Sequence, residues 1–397
     1  MIEQALEIDI LKNLTIDMHQ GINTVTENVE YLEKGIPILQ SKHITKGFLN
    51  LDDTKYLSEK DYLKYKDKYQ ANIDDVLVCN IGTIGKSLRI DKSEKFLIAW
   101  NLFLIKLDNT KLYSQYFAHY LNHLSDQNYF DKFLTGGTVK FINKKTMGNI
   151  PVPIPPLPQQ QKIANILDAA DALRQNDKAL LAKYDELTQA LFLDMFGDPV
   201  SNEKGWEKVE LGNVAKKITD GEHQNPPVLE FGKNLIMAKD VLDDKVDFTV
   251  ERFVSEENYI KYTKKCNPEI NDIVLVSRGA TVGRCTTVKT EIPFCLMGSV
   301  ILIKKGESFN SDYLCKLLIN EKFSKQLVNV SSASAQQAIY ISHLKKLKIL
   351  LPPITLQNQF AERVALIEEQ KAIAQTSLIK SEELFNSLLQ KAFKGEL

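Results

Sequence analysis

The second half of this chain restates its first, and that duplication limits the folds open to it more than any other feature. Tyr56-Leu57-Ser58-Glu59-Lys60-Asp61-Tyr62-Leu63-Lys64-Tyr65 returns as Phe253-Val254-Ser255-Glu256-Glu257-Asn258-Tyr259-Ile260-Lys261-Tyr262, an offset of 197. Asp74-Asp75-Val76-Leu77-Val78 with Gly82-Thr83-Ile84-Gly85-Lys86 matches Asp272-Ile273-Val274-Leu275-Val276 with Ala280-Thr281-Val282-Gly283-Arg284, at an offset of 198. Ile154-Pro155-Pro156-Leu157 matches Leu351-Pro352-Pro353-Ile354 at 197, as do the segments ending at Phe196 and Phe393. Repeats of roughly 20–50 residues would mean a solenoid. These are domain-sized, so a chain of 397 residues is predicted to hold two copies of one domain.

Within each half, short β-type runs (Val76–Val78, Phe103–Leu107, Val274–Val276, Val300–Ile303) mix with turns and short amphipathic helices such as Ser114–Leu124. That pattern predicts an α/β (α+β) domain. Each half then closes on prolines that lead into a long helix. Pro155, Pro156 and Pro158 stand where the helix start tolerates them, because the first N–H groups lack intrahelical partners. Gln159 to Phe196 contains no further proline and no glycine, and Gly197-Asp198-Pro199 ends it. Ile166, Leu173, Leu180 and Leu187 recur every seven residues, interleaved with Ile163, Ala170, Tyr184 and Leu191, with Asp177 as the break. The second helix, Gln357 to Phe393, carries Phe360, Val364, Ile367, Ala374, Leu378, Phe385 and Leu388, interrupted by Lys371 and Ser381. Helices this long outrun a domain of ~150 residues, so they are expected to pair and to bury these stripes as core.

Composition excludes several classes. Apolar runs are far shorter than a membrane span, and Met1–Ile10 carries three acids and no basic start, unlike a secretory signal. Five cysteines without CxxC spacing argue against disulfides and a zinc cluster, and for a reducing cytoplasm. Fifty basic residues against 51 acidic ones are a poor match for a protein that grips DNA unaided. DNA binding therefore requires clustered cations or a partner that supplies phosphate contacts.

Most catalytic motifs fail. Gly85-Lys86-Ser87 resembles the end of a phosphate-binding loop, but Asn80 holds the place of its first glycine, and the second copy reads Gly283-Arg284-Cys285. Asn225-Pro226-Pro227-Val228 lacks the aromatic residue with which adenine methyltransferases stack a flipped base. His119 and His123 have the spacing of a metal pair but no intervening glutamate, and no metal site is proposed.

The matched loops Cys79–Lys86 and Ser277–Arg284 remain. Their glycines permit close backbone approach, and Asn80, Thr83, Lys86, Arg278, Thr281 and Arg284 suit phosphate and base-edge contacts. A plain hairpin turn is the competing reading. Lys42 matches Lys239, and basic residues gather again at Lys140, Lys144, Lys145 and at Lys345, Lys346, Lys348.

Taken together, the pattern resembles the specificity subunits of type I restriction–modification systems over nearly the whole chain. The resemblance is carried by Ile154-Pro155-Pro156-Leu157-Pro158-Gln159-Gln160-Gln161-Lys162-Ile163-Ala164, by Leu351-Pro352-Pro353-Ile354-Thr355-Leu356-Gln357, by Leu191-Phe192-Leu193-Asp194-Met195-Phe196-Gly197-Asp198-Pro199, and by Leu388-Leu389-Gln390-Lys391-Ala392-Phe393-Lys394-Gly395. Gly205-Trp206 with Leu211-Gly212 resembles the opening of a target-recognition domain. The resemblance implies two target-recognition domains (1–157 and 198–354) separated by two antiparallel coiled-coil-like helices (158–197 and 355–397). It implies that Lys42, Asn80, Thr83, Lys86, Lys140, Lys239, Arg278, Thr281 and Arg284 face a split double-stranded DNA site. The helices, with Ile166, Leu173, Leu180, Leu187, Phe360, Ile367, Leu378 and Phe385, would dock two methyltransferase subunits. S-adenosylmethionine, ATP and Mg are then expected on partners only, a restriction/translocase subunit being a further candidate partner. The first half opens with Met1–Leu14 and lacks the Gly-Trp…Leu-Gly pattern, so its opening strand is expected to differ. A duplicated protein-binding scaffold and a nucleotide- or S-adenosylmethionine-dependent enzyme are the competing classes.

Overall fold

The computed structural model describes residues 7–134, 140–224, 226–329 and 338–397, so Met1–Leu6 and Asn225 lie outside the described residues. It divides into two units, Met1–Lys178 with Thr376–Leu397, and Ala179–Gln375.

In the first unit a four-stranded antiparallel sheet runs in the order Thr15–Gln20, Leu102–Leu107, Val76–Cys79, Ser87–Arg89. Its central strands read as unbroken apolar runs because both faces are covered. Val76, Val78, Phe103 and Ile105 point into a cluster with Tyr116, Phe117 and Leu121 of the helix Ser114–Asp126. The alternate residues Leu77, Cys79, Leu102 and Leu104 pack on Leu39, Phe96 and Ile98. Leu39 and Ile98 belong to a three-stranded sheet ordered Lys55–Leu57, Ile36–Leu39, Leu97–Ile98, its second pair parallel.

The second unit repeats both sheets: Lys217–Asp220, Val300–Lys304, Ile273–Val276, Cys285–Thr287, and Phe253–Val254, Lys233–Ile236, Phe294–Leu296. The fold is mixed helix and strand, internally duplicated, as expected. Two details correct the reading of the sequence. The opening strand of the first half is not different, because Ile8–Ile10 pairs with Pro151–Pro153 as Lys208–Glu210 pairs with Lys348–Leu350. No residue of either opening strand is fully buried, so little holds their side chains alike. The strand Val76–Cys79 matches Ile273–Val276 at 197, not 198, and the extra residue lies in the hairpin that follows.

A glutamine fastens each long helix to its domain. Gln160 is buried at the start of the helix Leu157–Phe196; its Oε1 accepts the Tyr113 N–H (2.8 Å) and its Nε2 donates to the carbonyls of Lys111 (2.9 Å) and Pro155 (2.8 Å). Gln357, in the helix Ile354–Lys394, accepts from Asn310 N (2.8 Å) and donates to the Ser308 (3.3 Å) and Pro352 (2.7 Å) carbonyls. A buried amide is tolerated only when so satisfied.

The helices run antiparallel within each unit, but not on the expected leucines. Leu173, Leu180 and Leu187 are 46%, 40% and 50% exposed. On the first helix the seam keeps the expected Ile163 and Ala170 but takes Leu167, Arg174, Asp177 and Leu181 in place of those leucines; on the second it is the expected Phe360, Val364, Ile367, Ala374, Leu378 and Phe385, completed by Lys371 and Ser381. Both sets keep the alternating three-and-four spacing of a coiled coil. The supposed interruptions are seam contacts. In the first unit Asp177 accepts from Ser377 (3.1 Å) and Ser381 (2.8 Å), Lys178 pairs with Glu382 (3.1 Å), and the Arg174 guanidinium lies 4.4 Å from the Phe385 ring centre. In the second, Lys371 pairs with Asp185 (2.6 Å).

Phe360 anchors the second unit's helix pair, fully buried, with ring centres 5.2 Å from Phe196 and 5.7 Å from Phe192. Phe360→Ala is expected to cost about 3–5 kcal/mol, read as a lowered urea midpoint. An unchanged midpoint would mean that the aromatic cluster does not hold this unit together.

Candidate nucleic-acid interface

Several segments of each unit meet where the buried central strand enters its hairpin. In the first unit, Asn80 N donates to Asn101 O (3.3 Å), Ile142 N donates to Asn80 O (3.1 Å), and Ser41 Oγ donates to Asn101 O (2.8 Å). In the second, Ser277 N donates to Ser299 O and Ile339 N to Ser277 O, both at 2.9 Å. The hairpins close alike: Cys79 N donates to Lys86 O (2.8 Å) and Gly85 N to Cys79 O (2.9 Å); Val276 N donates to Arg284 O (2.8 Å) and Gly283 N to Val276 O (2.9 Å). Gly85 and Gly283 have φ of 87° and 88°, which L side chains rarely adopt, so the repeated glycine is a demand of the turn. The hairpin reading and the contact reading of these loops are therefore compatible.

Lys42 sits on the one-turn helix Ser41–His43, and Lys239 on its counterpart Ala238–Asp240. Each turn is closed by its third residue: His43 Nδ1 accepts the Gln40 N–H (2.8 Å), and Asp240 accepts the Met237 N–H (2.8 Å). Burial, then the neighbouring Lys42 charge, pushes the His43 imidazole below its ordinary value, which suits an acceptor. Lys42 reaches Asp53 at 2.5 Å, and that hydrogen bond holds the Asp53 carboxyl below its usual range. Thr83 and Lys140 are exposed and line one cavity of about 540 Å³ beside the hairpin. Arg278 is exposed, its guanidinium 5.9 Å from the Tyr340 ring centre. Thr281 sits half-buried in the turn, its carbonyl accepting the Arg284 N–H (3.1 Å).

Two expected residues stand apart, and a third carries an acid beside it. Asn80 is fully buried, both side-chain amide atoms lacking a partner, so it lies beneath the surface and not on it. Lys86 turns into a separate cleft of about 520 Å³, paired with Asp126 at 2.5 Å. Arg284 faces Asp243 at 3.1 Å. Sequence reasoning missed these acids, and also Trp100, which is 47% exposed beside Asn101.

His119 Nε2 lies 2.7 Å from Asp168, and His123 packs on the Phe393 ring. Burial alone would raise the Asp168 carboxyl, but the bond and charge of His119 outweigh it and hold it low. Among the described residues, no group of three or more His, Cys, Asp or Glu could hold a metal, and no helix is long and apolar enough to cross a membrane. All five cysteines are free and buried, and burial pushes the Cys79 thiol up to about 11 and those of Cys266 and Cys295 up to about 12, well away from nucleophilic use.

The structure thus holds two copies of one α/β domain, each presenting a hairpin with nearby cations and each followed by a long helix. The family model for the type I restriction modification DNA specificity domain matches residues 4–183 and 203–380, and the chain belongs to that family. It is a DNA-recognition subunit, a non-catalytic component of such a system. It is 23% identical to the type I restriction enzyme EcoBI specificity subunit of Escherichia coli, over 99% of this chain and 85% of that one. The crystal structure of the type I restriction-modification system S subunit from M. genitalium superposes with a TM-score of 0.62 at 17% identity, covering 99% of this chain and 98% of that one. A structure described as the basis of complex assembly and conformational transition of the type I R-M system gives 0.54 at 16% identity, over the full length of both.

Proposed function

We propose that each unit reads one half of a split DNA site with its hairpin end, while the two long helices hold two adenine-methyltransferase subunits. The observation that carries this reading is the recurrence of one convergence of segments, Asn80–Asn101–Ile142 and Ser277–Ser299–Ile339, beside unlike surface side chains. Shared backbone with differing surface is what two readers of different half-sites need. Lys42, Thr83 and Lys140 contact DNA on the first unit, Lys239, Arg278, Thr281 and Arg284 on the second, and Lys86 is held in reserve by Asp126. Asn80 supports the loop from below. S-adenosylmethionine, ATP and Mg belong to the partners, a restriction/translocase subunit among them, and the assembly works in the cytoplasm. A net charge of −1 fits a reader whose partners supply much of the phosphate contact.

With a methyltransferase partner and S-adenosylmethionine, the chain should direct adenine methylation to one split sequence, and alone it should methylate nothing. Methylation without sequence preference would sink the reading in favour of a protein-binding scaffold; methylation by the rigorously purified chain would make it an enzyme.

A further inference from the structure

The two hairpins end on equivalent cations of different kinds, Lys86 and Arg284, and the difference is chemical as well as positional. An ammonium is a point charge, whereas a guanidinium is a planar fork with five N–H donors. Arg284 is fixed at its backbone on both sides, donating to Thr281 O (3.1 Å) and accepting from Val276 N (2.8 Å). Its side chain is two-thirds buried, and the closest approach of Asp243 Oδ1 is to Nε, at 3.1 Å. The carboxylate charge sits at the Nε edge of the guanidinium, so the two terminal nitrogens, farther from it, remain able to donate as a pair. Two parallel donors of that kind match the O6 and N7 acceptors on the major-groove edge of guanine.

Asp243 is exposed and belongs to no apolar cluster, so its charge and not its packing is what it contributes. Nor is it inherited from the duplication, since Lys46 occupies the matching place in the first half. In the first unit Lys86 is instead held by Asp126, an acid that ends the helix Ser114–Asp126, where the dipole disfavours it. No fork is presented there.

We infer that Arg284 is a specificity-determining residue that reads guanine at one position of the half-site served by Ala179–Gln375, with Asp243 as its positioning residue. This rests on the reading of the hairpin ends as the DNA interface. The equivalent residue of the first unit, Lys86, gives that half-site no guanine contact of this kind.

The test uses the complex with its methyltransferase partner on duplexes randomised across both half-sites, reading which molecules become methylated. The unaltered complex should demand guanine at one position of one half-site. Arg284→Lys keeps the charge and removes the fork; it should relax that position alone, by roughly five- to hundredfold, leaving the other half-site as it was. Asp243→Ala and Asp243→Asn, which both remove the charge, should relax the same position by a smaller factor, and Asp243→Glu, which keeps it, should retain part of the preference. Continued methylation of the original target shows that each variant is folded. Full guanine preference in Arg284→Lys, or an even loss of preference at every position, overturns the inference while leaving the specificity-subunit reading intact. An unaltered complex with no sequence preference overturns both.

Discussion

Leu180→Glu with Leu187→Glu should leave the chain folded and unable to hold the methyltransferase proposed as its partner. Both leucines stand beside the seam, half-exposed, on a helix whose inward positions are already filled. Leu366 and Ile373 on the other helix are also exposed, 64% and 59%, which puts four large apolar side chains of the second unit in water. Single exposed leucines are ordinary, but rows of them on a paired helix mark a surface meant to be covered. Covering one leucine contributes about 1.5–3 kcal/mol, and a carboxylate there adds a desolvation cost, so the double variant should bind at least ~100-fold more weakly. Titration of the partner by calorimetry, beside a urea midpoint close to that of the unaltered chain, checks both halves of the statement. Equal affinity would move the docking surface elsewhere, and a lowered midpoint would return these leucines to the core.

A full heptad inserted after Leu180, with another after Ser377, should make the methylated target longer by about three base pairs between its half-sites. Seven residues add about 10.5 Å of helix, against ~3.4 Å per base pair. The seam dictates the insertion length, because seven residues preserve its three-and-four spacing, whereas four would turn every inward position of the added stretch by roughly 40°. Methylome sequencing reads the new spacer directly, with the half-site sequences themselves unchanged. A folded, active variant that keeps the original spacer would show that the helices do not set that distance.

The duplication, the fold class and the hairpins were all legible in the sequence, since buried strands and turn glycines leave patterns that polar surroundings do not blur. The phase of the seam was legible on the second helix, from Phe360, Val364, Ala374, Leu378 and Phe385, and only in part on the first. Leu173, Leu180 and Leu187 keep a seven-residue period as good as the true seam's, and the true seam includes Arg174, Asp177, Lys371 and Ser381, which look like surface. A period identifies a stripe but not what covers it; here one stripe faces the other helix and its neighbour faces outward. The strand offset was misread by one because valines slide past one another without penalty in a sequence match. Only the ladder, with Val76 opposite Ile105 and Ile273 opposite Ile303, settles the register. The acids that hold Lys86 and Arg284 come from 40 residues after the one and 41 before the other, a separation with no periodic signature. Asn80 looked like a contact because it is polar and sits in a loop, but burial depends on Asn101 and Ile142, which approach from other segments.

Gln160 and Gln357 close on main-chain groups alone, and that matters for how such a protein can change. A joint made only with backbone N–H and C=O is indifferent to which side chains the domain carries. Genetic exchange that replaced everything between one long helix and the next would deliver a foreign domain whose backbone meets the same glutamine. Its surface, and with it the half-site it reads, would arrive already formed, while the helices would need no second mutation to receive it. New target sequences could thus be acquired whole by recombination, one half at a time, faster than by altering single contacts.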